Sequence, residues 1–256
     1  MGKKGNSIAR RDFVRVALYS ATGICVGSII AKGSLQDEPL ETISQILEKF
    51  DWAYVVDTTR CIGCGACVRA CAVENKVPDS YFRTWVERYE IDENEGIHVD
   101  SPDGAKESFK EDRVPDEEIV KGFFVPKLCN HCRNSSCTQV CPVAATYHTP
   151  DGVVVVDKKH CMGCGYCVQA CPYGCRYIWH DLGTADKCTL CYHRIHKGLQ
   201  TACVQACPRK ARICGNLKEP GNPISEVLHS RRYSILKPEM ATNPKCYYIG
   251  LDLEVV

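Results

Sequence analysis

The sequence has almost no net charge: 32 Lys and Arg against 31 Asp and Glu leave +1 over 256 residues. No Lys/Arg run is long enough to track a phosphate backbone, which argues against nucleic acid as a partner. Long apolar runs are missing as well. The stretch from Val16 to Ala31 spans sixteen residues where a spanning helix needs about 20, so no membrane bundle is encoded. With 45% hydrophobic residues the composition is that of a globular protein of one large domain or two small ones.

That short apolar stretch follows a basic front containing Arg10-Arg11. A charged front before a modest apolar core is the pattern of an export signal over residues 1–33, and "ARRDFVR" resembles the twin-arginine type. The resemblance implies export of a folded protein and a working site at the periplasmic face of the cytoplasmic membrane. The "AKG" ending at Gly33 is a weak cleavage pattern, so the chain is expected to be peripheral or anchored by an uncleaved signal.

What the sequence has in excess is cysteine, and sixteen of its 20 fall into four groups of four. The first is Cys61, Cys64, Cys67 and Cys71; the second Cys129, Cys132, Cys137 and Cys141. The third is Cys161, Cys164, Cys167 and Cys171; the fourth Cys188, Cys191, Cys203 and Cys207. Cys25, Cys175, Cys214 and Cys246 remain, and the last three are expected to be small buried residues. Residues 55–71 and 155–171 share 11 of 17 positions, an internal repeat. The second and fourth groups match more loosely, each opening with C-x-x-C and closing with C-x3-C-P.

Around the groups, "AYVVD" and "VVVVD" read as strands entering the first and third, and "TYHTPDGVVVVD" reads as a hairpin turning at Pro150-Asp151-Gly152. Leu40, Ile43, Ile46, Leu47 and Phe50 stand at helical spacing, which predicts an amphipathic helix in a linker over 34–53. Residues 72–128 hold an insert too long for a plain loop, expected to fold as a β-hairpin or meander. The tail over 216–256 shows no ligand pattern, and "CYYIGLDLEVV" is expected to dock as a final strand on the body or on a neighbouring subunit.

C-x-x-C-x-x-C lets one short loop offer three thiolates to one compact inorganic core. Gly63, Gly65, Gly163 and Gly165 allow the backbone to close around it and aim N–H groups at sulfur. A fourth cysteine three residues on is the run that, in two-cluster ferredoxins, ligates the other cluster. Structural zinc uses two C-x-x-C knuckles without that third cysteine, and disulfides do not explain four near-repeats of one spacing.

With "CNHC" opening the second group, "CPYG" closing the third, the widened C-x-x-C-x11-C-x3-C-P of the fourth and the terminal "YYIGLD", the chain resembles a known family. It is similar over residues 53–215 to the four-cluster ferredoxin-like subunits of membrane-associated respiratory oxidoreductases of the dimethyl sulfoxide, polysulfide and formate type. The resemblance implies an α+β fold of two pseudo-symmetric bacterial-type two-cluster ferredoxin units within a body over 54–215, the unit holding the second and third groups at 122–180 being inserted in the other. It also implies four [4Fe–4S] clusters, an electron-transfer role without catalysis, a catalytic molybdopterin subunit and a polytopic quinone-interacting membrane subunit as partners. A multihaem cytochrome is a further partner in keeping with it.

The crossed-ligand rule then pairs Cys61, Cys64 and Cys67 with Cys207, and Cys188, Cys191 and Cys203 with Cys71. It likewise pairs Cys129, Cys132 and Cys137 with Cys171, and Cys161, Cys164 and Cys167 with Cys141. His131, His160, His193 and His196 are expected beside the clusters or at the surface, since each group already has four thiols. Arg60, Arg69, Lys187, Arg194, Arg209 and Lys210 flank the groups as counter-charges or solvated residues, and Tyr166, Tyr173 and Trp179 are expected to keep water away. Pro172 after the third group and Ala72 after the first predict that only the first continues as a helix, through "AVENKVPD". The rival readings are a self-contained iron–sulfur reductase, which needs an open iron site, and a non-redox zinc scaffold.

Overall fold

A computed structural model describes residues 42–109, 118–252 and 255. The signal expected over 1–33, with Arg10, Arg11 and Cys25, and the linker up to and including Leu40 lie outside the described residues. Before the second cysteine group come α1 (Ile43–Leu47), β1 (Trp52–Asp57), α2 (Ala66–Asn75), β2 (Thr84–Asp92), β3 (Ile97–Asp100) and β4 (Ile119–Leu128). Next are α3 (Ser136–Gln139), β5 (Thr146–His148), β6 (Val154–Val156), α4 (Tyr166–Gln169), β7 (Arg176–Trp179) and β8 (Thr184–Lys187). Then follow α5 (Tyr192–Ile195), α6 (Ala202–Gln205), β9 (Arg212–Asn216), α7 (Pro223–Ser230) and β10 (Cys246–Ile249). Short strands and short helices alternate around the cysteine loops, an α+β arrangement.

The strand pairs decide which groups meet. β1 enters the first group and pairs antiparallel with β9, which leaves the fourth, in a register running from Trp52↔Asn216 to Val56↔Arg212. The equivalent pair is β5, leaving the second group, with β6, entering the third, from Thr146↔Val156 to His148↔Val154. A second kind of pair links the ends of these units. β2 lies antiparallel to β4, with Thr84 opposite Leu128, and β7 lies antiparallel to β8, with Arg176 opposite Lys187. Strands on equivalent sides of the repeated cysteine groups thus pair equivalently, and the internal repeat becomes an approximate symmetry of the fold.

β1 is the centre of its sheet, since β10 pairs with its other edge in parallel, from Tyr54↔Cys246 to Asp57↔Ile249. Val55 and Val56 are wholly buried on opposite faces of that strand, each burial contributing about 1.5–3 kcal/mol. The tail's final strand therefore docks on the body of its own chain. The insert forms the order β3-β2-β4: β2 and β3 make the expected hairpin, and β4 returns to the other edge of β2, so the sheet is not a meander. Within it, Arg88 pairs with Glu90 at 3.2 Å and with Asp100 at 2.9 Å.

Three local expectations need correction. The linker helix α1 has five residues and buries none of them; Ile43 is 78% exposed. So few residues make barely more than one turn, which cannot present an apolar stripe. It is held instead by a capping box between Thr42 and Gln45. Beyond it, Phe50 stacks on Trp52 with ring centroids 5.6 Å apart. The helix after the first group does continue past Cys71 but ends at Asn75, with Lys76 left-handed at φ 49°, two residues ahead of Pro78. α7 was not anticipated at all. Asn222 caps it and Pro223 opens it, a start signal present in "GNPISEVLHS".

Tyr248 of β10 is completely buried and its hydroxyl donates to the Pro126 carbonyl of β4 at 3.2 Å. Tyr248→Phe, which leaves that acceptor unpaired, should cost about 1–3 kcal/mol, and Tyr248→Ala about 3–5 kcal/mol. Guanidinium midpoints of protein with equal iron content should rank parent, Phe, Ala; an alanine variant as stable as the parent would remove β10 from the structural core.

Candidate metal centres

Each C-x-x-C-x-x-C loop closes through left-handed glycines, with φ 66° and 67° at Gly63 and Gly65 and 71° and 79° at Gly163 and Gly165. A short helix follows and carries the third thiol, and in the first group it runs on through the fourth. α2 lies against α6, which carries Cys203, and α3, which carries Cys137, lies against α4, which carries Cys167. Helices of the first and fourth groups therefore touch, as do those of the second and third.

Two cavities make the result of this packing concrete. One is lined by Cys129, Cys132, Cys137 and Cys171, with Cys175 beside them. The other is lined by Cys71, Cys188, Cys191 and Cys203. In both, three thiols come from one group and one from another. The remaining thiols are related less directly. Cys61 lies in the electrostatic range of Cys67 and Cys207, and Cys67 in that of Cys64, Cys203 and Cys207. The third group is linked to the second through the α3–α4 contact and through Arg176, which reaches both Cys137 and Cys167.

The donor chemistry fits iron–sulfur cores. Thiols stand around cavities instead of converging on a point: among the described residues no three His, Cys, Asp or Glu side chains could hold a single metal ion. Backbone N–H groups are aimed at sulfur, from Ala185 to Cys161 and from Ala211 to Cys207, each at 3.3 Å. Leu190 N–H does the same for Cys188 at 3.3 Å, and Thr146 N–H for Cys141 at 3.5 Å. Asn75, one turn beyond Cys71 on α2, donates to Cys71 Sγ at 3.5 Å and to Cys191 Sγ at 3.8 Å. Burial, with the Cys203 and Cys191 thiols adding to it, pushes the Cys71 thiol up to about 12. Burial likewise pushes Cys132 up to about 12. Thiolates so placed need a positively charged core, and coordination to metal supplies one.

The residues around the thiols divide cleanly. His131 is buried, its Nδ1 accepts from the Val154 N–H at 3.1 Å, and burial, reinforced by Lys187 and Lys245, holds it well below the usual imidazole range. It packs as a neutral side chain. His160, His193 and His196 bond Asp157, Glu74 and Asp151. Of the flanking cations, Lys187 is buried and donates to the Val154 and Cys188 carbonyls. Arg60 pairs with Asp57, Arg194 with Glu74, and Arg69 bonds the Lys106 and Cys64 carbonyls, while Arg209 and Lys210 are exposed. Cys175, Cys214 and Cys246 are buried as expected. Tyr173 lines the cavity at Cys129, but Tyr166 is 57% exposed and shields nothing: it is the first residue of α4, where the loop has turned its side chain outward. Trp179 is half-buried with the Lys158 ammonium 4.4 Å from its ring centre.

Sequence reasoning passed over Asn75, Arg83, Arg176 and Arg212. Arg83 pairs with Asp186 at 2.8 Å and donates to Asn75 Oδ1 at 3.0 Å, tying β2 to β8 and orienting the amide that faces two thiols. Burial alone would raise the Asp186 carboxyl, but Arg83 and Lys158 hold it below the usual carboxylate range. A signal for the other two arginines was available: each stands five residues after the fourth cysteine of its group.

Comparison with known proteins supplies the family. A family described as the 4Fe-4S dicluster domain matches residues 60–145, and a second of that description matches 120–217. A tetrathionate reductase subunit of Salmonella typhimurium is 45% identical over 203 residues, covering 78% of this chain and 73% of the relative. The chain belongs to the 4Fe–4S dicluster family of respiratory-reductase iron–sulfur subunits. The corresponding tetrathionate reductase subunit of Archaeoglobus fulgidus is 44% identical over 200 residues, covering 78% of this chain and 82% of the relative. Protein NrfC of Escherichia coli K12 is 34% identical over 244 residues, covering 94% and 95%. The iron–sulfur subunit thus carries four [4Fe–4S] clusters on two ferredoxin-type domains and transfers electrons without a catalytic site of its own. Zinc and self-contained reductase readings are set aside by this membership.

Two glycines of the third group separate backbone strain from steric overlap. A Cβ on Gly165 meets open space, so Gly165→Ala costs only the left-handed backbone, about 1–2 kcal/mol. A Cβ on Gly163 would overlap the Gly183 carbonyl, between β7 and β8, and push away the segment whose Ala185 N–H faces Cys161. Iron assays should find Gly165→Ala fully loaded and Gly163→Ala short of one cluster; equal iron in both would show that the loop yields without consequence.

Proposed function

We propose that the sixteen cysteines hold four clusters by crossed ligation and that the clusters form one line. Cys61, Cys64 and Cys67 share a cluster with Cys207; Cys188, Cys191 and Cys203 with Cys71; Cys129, Cys132 and Cys137 with Cys171; Cys161, Cys164 and Cys167 with Cys141. The observation that carries this is the pair of cavities lined by Cys71 with three thiols of the fourth group and by Cys171 with three of the second. On this reading one two-cluster unit, over 122–180, is inserted in the other, and the body over 54–215 is followed by a docking tail over 216–256.

The order along the line follows from neighbours. Cys67 and Cys203 interact, joining the first set to the Cys188 set. Cys188 interacts with Cys129, joining that set to the next, and Arg176 bonds Cys137 and lies in the electrostatic range of Cys167. When bound, each cluster supplies one-electron exchange at a potential set by its surroundings. The chain's own part is to fix the spacing, exclude water and aim donors at sulfur. Apolar residues lie bare at both ends: Ile62 beside Cys61, and Met162, 63% exposed, beside the exposed Cys164. Such tips suit partner proteins that cover them and dry the last step of transfer.

The partners of this reading are a catalytic oxidoreductase subunit of the molybdopterin type at one end and a quinone-reactive membrane subunit at the other. It rests on relatives that are themselves named as subunits of reductases. A multihaem cytochrome is a further electron carrier compatible with it. Among the described residues no helix is long and apolar enough to cross a membrane. With the Arg10-Arg11 signal, the working place is the periplasmic face of the cytoplasmic membrane, peripheral or held by an uncleaved signal.

Two measurements test these statements. Cys71→Ser should change the EPR signal that Cys188→Ser changes and spare the one lost in Cys64→Ser; the opposite pattern refutes crossed ligation. Replacing Arg10 and Arg11 together by Lys should leave the loaded protein in the cytoplasm, and normal export of that variant would overturn the twin-arginine assignment.

A further inference from the structure

Two arginines are buried inside the protein without a carboxylate. Arg212, the first residue of β9, is 2% exposed; its Nη1 donates to Thr84 Oγ1 at 2.9 Å and its Nη2 has no hydrogen-bond partner. Arg176, the first residue of β7, is 5% exposed; its Nη1 donates to Thr146 Oγ1 at 3.3 Å and its Nη2 to Cys137 Sγ at 3.0 Å. Among the described residues neither has an acidic side chain within ion-pair distance. A guanidinium taken out of water without a counter-ion costs several kcal/mol, so this burial is stable only if something anionic faces it.

The thiols face it. Arg212 lies in electrostatic contact with Cys67 and Cys203, and its charge also reaches Cys61 and Cys71. Tyr54 is also in its electrostatic range, and the Tyr54 hydroxyl lies 3.2 Å from Cys203 Sγ. Arg176 bonds Cys137 and lies in the electrostatic range of Cys167 and Cys129. Each arginine thus lies in the electrostatic range of thiols of two different cluster sets, and between them the two arginines serve both pairs. Lys187 is also near Cys137, but its ammonium is hydrogen-bonded to the Val154 and Cys188 carbonyls.

We infer that Arg212 and Arg176 are positioning residues for electron transfer, one fixed positive charge within each pair of clusters, which raises the reduction potentials of both members together. The inference rests on the four-cluster reading above. Adding an electron to a thiolate-ligated cluster adds negative charge, and a nearby cation in a low-dielectric interior favours that reduced state. A single charge serving two clusters also offsets the repulsion that the electron on one exerts on the electron entering the other.

The test is a redox titration followed by EPR on the full, cluster-loaded chain and its Arg176→Gln, Arg176→Lys, Arg212→Gln and Arg212→Lys variants, after iron and sulfide assay. Arg176→Gln should make reduction of the two clusters perturbed by Cys137→Ser and Cys167→Ser at least tenfold less favourable, a shift of about 59 mV, and leave the other two unmoved. Arg212→Gln should do the same for the clusters perturbed by Cys67→Ser and Cys203→Ser, and the lysine variants should stay near the parent. Unmoved potentials, a shift of one cluster alone, or an equal shift of all four overturns the inference. If a glutamine variant fails to load its cluster pair, the lysine variant decides: loading with parental potentials supports a requirement for charge, and failure to load shows that the site needs the shape of arginine instead. A parent protein with fewer than four clusters sinks the underlying reading, whereas a four-cluster parent with unmoved variants sinks only the inference.

Discussion

Antiparallel pairing of β1 with β9 is the contact on which the rest of the molecule depends. It places the strand that enters the first cysteine group beside the strand that leaves the fourth, with Val56 opposite Arg212. Without it the helix carrying Cys71 would not lie against the helix carrying Cys203, and the cavity lined by Cys71, Cys188, Cys191 and Cys203 would not close. Such a long-range pair carries a high closure entropy. Burial of Val55, Val56 and Tyr54 on β1 and the second edge formed by β10 offset it.

The second unit solves the same problem locally. β5 and β6 are joined by a short turn at Pro150-Asp151-Gly152, so the second and third groups meet with little chain between them. The difference in loop length is large, yet both cavities are lined by three thiols of one group and one of another. The approximate symmetry therefore resides in strand pairing around the cysteine loops and not in the connections. The insert β2-β3-β4 is where the two halves diverge most, and through Arg83 and Asn75 it reaches back to Cys71 and Cys191.

Charge is arranged with similar economy. The interior contains many thiols whose ionised form burial disfavours, and among the described residues it contains two guanidinium groups without a carboxylate that burial equally disfavours. Neither is stable alone in a low-dielectric core, and each is the other's compensation once the metal cores are bound. This also separates these two from the arginines that pair with carboxylates, the buried Arg83 and Arg88 included. Arg60 and Arg194 find carboxylates and remain partly solvated, whereas Arg176 and Arg212 face sulfur.

Sequence spacing alone determined the metal chemistry, because three thiols on one tight loop are a local property that needs no knowledge of the distant chain. It also determined the hairpin at Pro150-Asp151-Gly152, the strand before each C-x-x-C-x-x-C loop and the helix through Ala72, all of which depend on a few neighbouring residues. Tertiary structure decided what spacing could not. Tyr166 turned outward and α1 stayed exposed because burial depends on what packs against a residue, not on its hydrophobicity. Asn75, Arg83, Arg176 and Arg212 have no meaning as isolated letters. They acquire one only where α2, β7 and β9 bring Asn75, Arg176 and Arg212 to thiols of other parts of the chain, and where Arg83 orients Asn75. A polar group at a metal centre is defined by distances across the fold, and those distances exist only after the strands have paired.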